Sequence, residues 1–294
     1  MCIRDSLWND EQAQAWAPIC DEVAELGAVP AVQLGHAGAK ASTVPMHPGV
    51  PAGQPILEGP DSWETLSPSG VPTNSMEIRT HAMQVDEIRE TVQAFADAAE
   101  RADRAGFGAV QLHAAHGYLI HQFVSPLTNT RTDEYGGDYE GRTRFLKEIV
   151  AAVREVWPAD KILGIRISGS DWREDGWSIE ETVRLAQELQ GQVHWFDLSS
   201  AGIGDTYEGP KGPGYQVPLA TAVKEGTEGI VVSAVGSLTG AQEVADVVAT
   251  GRADAVCVGR AALANPNWPT AAALELDVPT EQVPMARQYF RAKW

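Results

Sequence analysis

The stretch DEIRETVQAFADAAERADRAGFGAVQL, residues 86–112, joins one helix to one strand. Within it Ile88, Val92, Phe95, Ala99 and Ala102 recur at helical spacing, and Gly106 stands where a C-terminal cap belongs. A short apolar strand over 109–112 follows at once. The same unit recurs downstream. Phe145, Ile149, Val150 and Val153 mark a helix, and 162–167 reads as a buried strand. Ser178 and Glu181 form a capping box for a helix running to about Leu189. Residues 195–198 and 230–235 are strands. Thr239 and Gln242 cap a helix that carries Val244, Ala245 and Val248 and stops at Gly251; residues 255–258 form the last strand. Strands that read as continuous apolar runs are buried on both faces, as in parallel sheets covered by helices. Their alternation with helices gives an α/β fold. No Gly-x-Gly-x-x-Gly follows any of these strands, so a (β/α)8 TIM barrel is favoured over a doubly wound dinucleotide-binding sheet.

Upstream, Asn9 caps a helix over 10–26, which Pro18 is expected to kink or split. Residues 31–34 form a strand. The stretch 41–85 is rich in Pro, Gly and Ser, and a loop of that length over a barrel rim is functional or mobile. Residues 1–294 read as a single domain. A barrel has eight strands and six are legible. At about 30 residues per βα unit the shortfall is roughly 60 residues. The expected place for it is before Leu7, so roughly the first two strands of the barrel are missing on this reading. The opening MCIRDS fits no element.

Composition narrows the function classes. The 294 residues are 44% hydrophobic and 21% charged, with a net charge of −18. Such a surface repels nucleic acid and anionic membranes, so neither is an expected partner. Cys2, Cys20 and Cys257 have no paired metal spacing and form no disulfide framework. A reducing compartment is expected, and a cysteine-ligated iron–sulfur cluster is excluded. With no signal-peptide pattern and no apolar run of membrane-spanning length, a cytoplasmic protein is the expectation.

In barrels the site lies at the C-terminal ends of the strands. Those ends carry Gln33 and His36, His113 and His116, Arg166, Gly236, and Gly259 with Arg260. Five strands thus deliver hydrogen-bonding groups or glycines to one rim, as holding a large cofactor requires. His113 and His116 alone also fit a metal pair, although no carboxylate or cysteine in the same segment completes a set. Two satisfied loop histidines are the plainer reading of the pair alone. A barrel arginine needs a nearby anion, because an unpaired buried charge is costly.

The segment HAAHGYLIHQFVSPLTNTRTDEYGG, residues 113–137, with Arg142 shortly after, closely resembles the signature of the Old Yellow Enzyme family of ene-reductases, in its bacterial NADPH dehydrogenase and xenobiotic reductase branch. The resemblance extends from Leu7 to the C-terminus. Gln33-Leu34-Gly35-His36-Ala37-Gly38 matches the end of that family's third strand. Val258-Gly259-Arg260 matches its phosphate strand, and Gln288-Tyr289-Phe290-Arg291 its C-terminal tail.

The resemblance implies FMN as cofactor, NADPH or NADH as reductant, and hydride transfer from flavin N5 to the β-carbon of an activated alkene. It implies that His113 and His116 bind the substrate's carbonyl or nitro oxygen and that Tyr118 protonates the α-carbon. Gln33 is expected on the flavin's pyrimidine edge, Arg166 near its N1 and O2, and Gly236, Gly259 and Arg260 on its phosphate. Arg291 is expected to reach a neighbouring subunit's site, which implies a homodimer or homotetramer. The tail departs from the branch after Arg291, with Ala-Lys-Trp in place of Gly-Trp. Lys40 and Ser233 read as plain loop and strand residues. The family's first strands carry flavin contacts, so a chain without them is expected to hold FMN weakly. The rival readings are an inactive fragment or binding module of the same fold, and a metal-dependent barrel hydrolase using His113 and His116.

Overall fold

The computed structural model describes residues 7–45, 49, 53–76, 78–286 and 288. Helix α1 (Asp10–Glu25) opens at Asn9, whose side chain accepts from the Gln12 N–H while Gln12 reaches back. Pro18 lies inside this helix and does not split it. The proline frees the carbonyl of Gln14. Both residues lie on the exposed side, where water takes up the lost hydrogen bond.

In chain order there follow β1 (Ala31–Leu34), the short strands β2 (Thr65–Ser67) and β3 (Thr80–Ala82), α2 (Val85–Arg104), β4 (Ala109–Ala114), α3 (Leu119–Val124), α4 (Tyr139–Val156), β5 (Ile162–Ser168), α5 (Ile179–Glu188), β6 (Trp195–Ser199), α6 (Val217–Gly226), β7 (Val231–Ala234), α7 (Ala241–Ala249), β8 (Ala255–Val256), α8 (Arg260–Ala264) and α9 (Trp268–Glu275). The Ser178 capping box forms as expected. The α7 cap sits one residue later than expected, at Gly240, because the Glu243 carboxylate accepts the Gly240 N–H.

Six strands make one all-parallel sheet in the order β1-β4-β5-β6-β7-β8. A doubly wound sheet reverses its strand order at a switch point. Here spatial order follows chain order throughout, which is the arrangement of a (β/α) barrel. Among the described residues, β1 and β8 each pair on one side only.

One face of the sheet packs under the helices. Val110, Leu112, Leu163, Ile165, Ile167, Phe196, Leu198 and Val232 lie there, all fully buried. Against them come Ile88, Phe95, Ala99 and Ala102 of α2 and Phe145, Ile149 and Val153 of α4. Each such large side chain contributes about 1.5–3 kcal/mol on leaving water. The opposite face differs from the continuous apolar run read in the sequence. Along β4 it carries Gln111 and His113, along β5 Arg166, along β6 Asp197 and Ser199, and along β7 Ser233, by simple alternation. Gly164 leaves room on that face for Trp195, whose ring would lie 2.7 Å from a Cβ at residue 164.

The stretch 41–85 contains the parallel pair β2–β3. Arg131 ties it down, with Nη1 donating to the carbonyls of Pro68 at 2.5 Å and Met83 at 2.7 Å. Ser75 reaches the Asp205 carboxylate after β6 through both its N–H and its hydroxyl.

Candidate active site

β4 ends in a turn that no ordinary residue pair adopts freely. His116 has φ of 60° and Gly117 a φ of 72°. The left-handed region suits glycine and costs a side-chain-bearing residue roughly 1–2 kcal/mol. The turn folds the chain back so that Tyr118 caps α3. The rings of His113 and His116 then lie 5.2 Å apart, and those of His113 and Tyr118 4.9 Å apart. The three expected catalytic side chains are therefore neighbours.

His116 Nε2 lies 2.6 Å from Ser199 Oγ at the end of β6, while Ser199 is 3.4 Å from Gln216 Oε1. Burial, reinforced by the Arg166 charge, lowers His113 to a pKa of about 4 and His116 to about 3. Both rings are neutral donors at neutral pH.

This has a measurable consequence for folding. The unfolded chain takes up these two protons near the usual histidine pKa of about 6.5. The folded chain resists them until about 4 and 3. The unfolded state therefore binds more protons across that window, so stability falls as pH drops from about 6.5 towards 4. Urea midpoints measured between pH 7 and pH 5.5, above most carboxylate titration, are expected to show this slope. The His113→Asn and His116→Asn variants are each expected to flatten it.

The next row inward is electrostatic. Arg166 Nε lies 3.2 Å from Asp197 Oδ2, and Asp197 is almost fully buried. The anion demanded beside a barrel arginine is thus supplied by the chain itself. Asp197 Oδ1 accepts from Ser233 Oγ at 2.9 Å, and Ser233 accepts from Trp195 Nε1 at 2.8 Å. Ser233 is therefore more than a strand residue.

Arg166, Gly236, Gly259 and Arg260 line one cavity of ≈ 210 Å³ with Ser199 and Gln216. Four of the five expected cofactor residues converge there. Gly236 has φ of 133°, and a Cβ on it would lie 3.1 Å from Gln216 Nε2, so only glycine presents its backbone at this point. A Cβ at Gly259 would meet nothing within 4 Å, which leaves its backbone open to the cavity. Arg260 Nη2 donates to Ser237 Oγ at 2.9 Å.

Gln33 stands apart from this cavity, on exposed β1, and donates to Gln111 Oε1 at 2.6 Å. Among the described residues, Gln111 Nε2 and His113 Nδ1 are buried without hydrogen-bond partners. A flat, acceptor-bearing ring across the sheet's polar face, ending in a phosphate at Gly236, Gly259 and Arg260, would satisfy the Gln111 amide and leave the His113 ring N–H for a substrate oxygen. FMN fits that description. A larger cavity of ≈ 520 Å³, lined by Thr73, Pro126, Arg173 and Ile203 among others, contains none of the expected site residues.

Ser199 and Asp197 escaped the sequence reading, which took no residue from the end of β6. Their inward positions in the alternating run 195–199 were the available signal. Arg291, Tyr289 and Phe290 lie outside the described residues. Among the described residues, no group of three or more His, Cys, Asp or Glu is placed to hold a metal, and no helix is long and apolar enough to cross a membrane.

Comparison with known proteins gives a consistent result. A profile of the NADH:flavin oxidoreductase / NADH oxidase family matches residues 3–278. A curated NADPH dehydrogenase of Bacillus pumilus (strain SAFR-032) is 40% identical over 287 residues, covering 97% of this chain and 78% of that protein. Another, of Geobacillus thermodenitrificans (strain NG80-2), is 40% identical over 280 residues, covering 94% of this chain and 75% of that protein. The solved structure of morphinone reductase in complex with tetrahydroNAD superposes with a TM-score of 0.70 at 28% identity, over 93% of this chain and 72% of that one. It is a (β/α)8 barrel, and the six-stranded arc here is the corresponding architecture.

Proposed function

The chain belongs to the NADH:flavin oxidoreductase / NADH oxidase family, and from that premise we propose that it reduces the activated C=C bond of α,β-unsaturated carbonyl or nitro compounds. It is a flavin-dependent NAD(P)H oxidoreductase. The observation that carries the finer reading is the pair of neutral imidazoles with Tyr118 at the end of β4, beside the cavity that suits the cofactor.

When bound, FMN supplies the hydride that reaches the alkene's β-carbon, at the expense of NADPH or NADH. Arg166, Gly236, Gly259 and Arg260 would hold it, with Gln33 and Gln111 as further hydrogen-bonding groups. His116 and His113 each donate a ring N–H to the substrate's carbonyl or nitro oxygen. Negative charge grows on that oxygen as the β-carbon is reduced, so both hydrogen bonds strengthen in the transition state. Because the rings are neutral, they polarise the oxygen without giving up a proton to it. Tyr118 delivers its phenolic proton to the α-carbon, completing a saturated product. Arg291 from a second copy is proposed to close the site, making the working form a homo-oligomer.

The test is an absorbance spectrum of the chain after incubation with FMN and desalting. Under anaerobic conditions, NADPH is expected to bleach the retained flavin bands and 2-cyclohexenone to restore them. Bleaching without restoration by any enone or nitroalkene would overturn the proposal. His116→Ala and His113→Ala are each expected to slow the restoration roughly a hundredfold.

A further inference from the structure

The His116–Gly117 peptide bond is gripped at both ends. Its carbonyl, on His116, accepts from Lys40 Nζ at 2.8 Å. Its N–H, on Gly117, donates to His121 Nδ1 at 2.8 Å. Lys40 comes from the turn after β1, and its ammonium also donates to the Gly202 carbonyl after β6 at 2.6 Å. Both of its hydrogen bonds therefore end on backbone carbonyls, and burial pulls its pKa below the usual lysine value. His121 is fully buried in α3, with Nε2 3.0 Å from Asp171 Oδ1. The Asp171 carboxylate is itself fixed by Ser125 Oγ at 2.6 Å and the Trp177 N–H at 2.9 Å.

The chemistry of this grip is directional. The Gly117 N–H occupies the Nδ1 lone pair of His121, so the ring hydrogen sits on Nε2 and faces Asp171. The Gly117 amide thus fixes the tautomer, and the Asp171 carboxylate 3.0 Å away favours it electrostatically. On the other side, Lys40 joins three loops, those after β1, β4 and β6, at a point where no slack exists. A Cβ on Gly202 would lie 2.2 Å from the carbonyl carbon of His116.

We infer that Lys40 and His121 are positioning residues for the reaction, clamping the His116–Gly117 peptide so that His116 keeps its left-handed backbone and aims its ring at the substrate's oxygen. Neither touches the substrate on this reading. Lys40 acts through the His116 carbonyl and His121 through the Gly117 amide. A freed peptide relaxes towards an unstrained backbone, which swings the His116 ring off Ser199 and shifts Tyr118, two residues on. The inference rests on the proposed role of His113 and His116 as the oxygen clamp, and its test separates the two.

The test uses the FMN-loaded chain and 4-nitrophenolate, whose oxyanion stands in for the oxygen of the reacting alkene, with binding followed by calorimetry. His116→Ala is the control. Lys40→Ala and His121→Phe are each expected to weaken binding roughly tenfold or more, the scale of a lost charged or buried hydrogen bond. Ethylammonium is expected to restore binding to Lys40→Ala by refilling the cavity with an N–H donor. Tetramethylammonium, which carries charge but no N–H, is expected to fail. A purely structural lysine would not show that distinction, and rescue by both ions or by neither overturns its role.

If His116→Ala weakens binding while Lys40→Ala and His121→Phe do not, the inference is overturned and the oxygen clamp stands. If His116→Ala itself has no effect, the oxygen clamp falls, and with it the inferred role in the reaction. The unsubstituted protein offers an independent check should a variant misfold. Its nitrogen NMR spectrum is expected to show His121 protonated on Nε2 alone and a Gly117 amide slow to exchange. A His121 carrying hydrogen on Nδ1 would overturn the inference directly.

Discussion

Gly117→Ala is expected to lower alkene reduction by at least about a thousandfold and to destabilise the fold by about 3 kcal/mol or more. Two costs combine. The backbone at φ of 72° strains any residue with a side chain. The added Cβ would also lie 2.2 Å from the Gly202 carbonyl oxygen and 2.9 Å from Lys40 Nζ. The oxygen belongs to backbone and has no rotamer to escape into. The loops after β4 and β6 must part, which separates His116 from Ser199 and displaces both histidine donors. A shift of about 1 Å in a catalytic group costs on the order of a hundredfold, and here two donors move together. Gly137→Ala is the matched control. Its φ is 77°, but a Cβ there meets nothing within 4 Å. It is expected to lose only about 1–2 kcal/mol in a urea titration and to turn over at the unsubstituted rate. Equal behaviour of the two variants would show that the two loops yield to each other.

Asp197→Ala is expected to cost about 3–5 kcal/mol of stability, because it strands Arg166 in the sheet without its carboxylate. It also removes the acceptor of the Ser233 hydroxyl. Chemical denaturation of the FMN-free chain measures this directly. A second readout comes from Cys257, whose sulfur lies 3.5 Å from Asp197 Oδ1. Burial, and then the Asp197 charge, push that thiol up to about 11. Removing the carboxylate is expected to lower it and to speed alkylation by iodoacetamide at mildly alkaline pH. An unchanged alkylation rate together with an unchanged denaturation midpoint would mean that Arg166 finds another counter-charge.

The strands and their order were legible because their helix-facing residues are apolar without exception from Val110 to Val232, and each is followed by a helix with its own stripe. Much of the site was legible for a related reason. Polar residues at the ends of buried strands are anomalous unless something binds there, and His113 and Arg166 stand out on that ground. What escaped notice depends on contacts distant in sequence. Lys40 is an ordinary residue just before a Pro-, Gly- and Ser-rich stretch until the fold brings it to carbonyls 76 and 162 residues away. Asp197 and Ser199 sit in a run that reads as one more buried strand. Pro18 is tolerated within α1 because its side of the helix is exposed, which the local sequence does not reveal.

The polar face of the sheet also bears on how the chain finds its alignment. His113, Arg166, Asp197 and Ser233 are direct cross-strand partners on four successive strands. A slip of one residue would turn greasy side chains outward and is rejected by hydrophobicity alone. A slip of two residues preserves every inside–outside assignment, and burial cannot discriminate against it. The charged row can. Moving β5 by two positions along β6 sets Arg166 opposite Ser199 or Trp195 and leaves Asp197 buried beside Gly164 or Ser168. These four side chains therefore act as a vernier for assembly, penalising the misaligned sheets that greasy packing would accept.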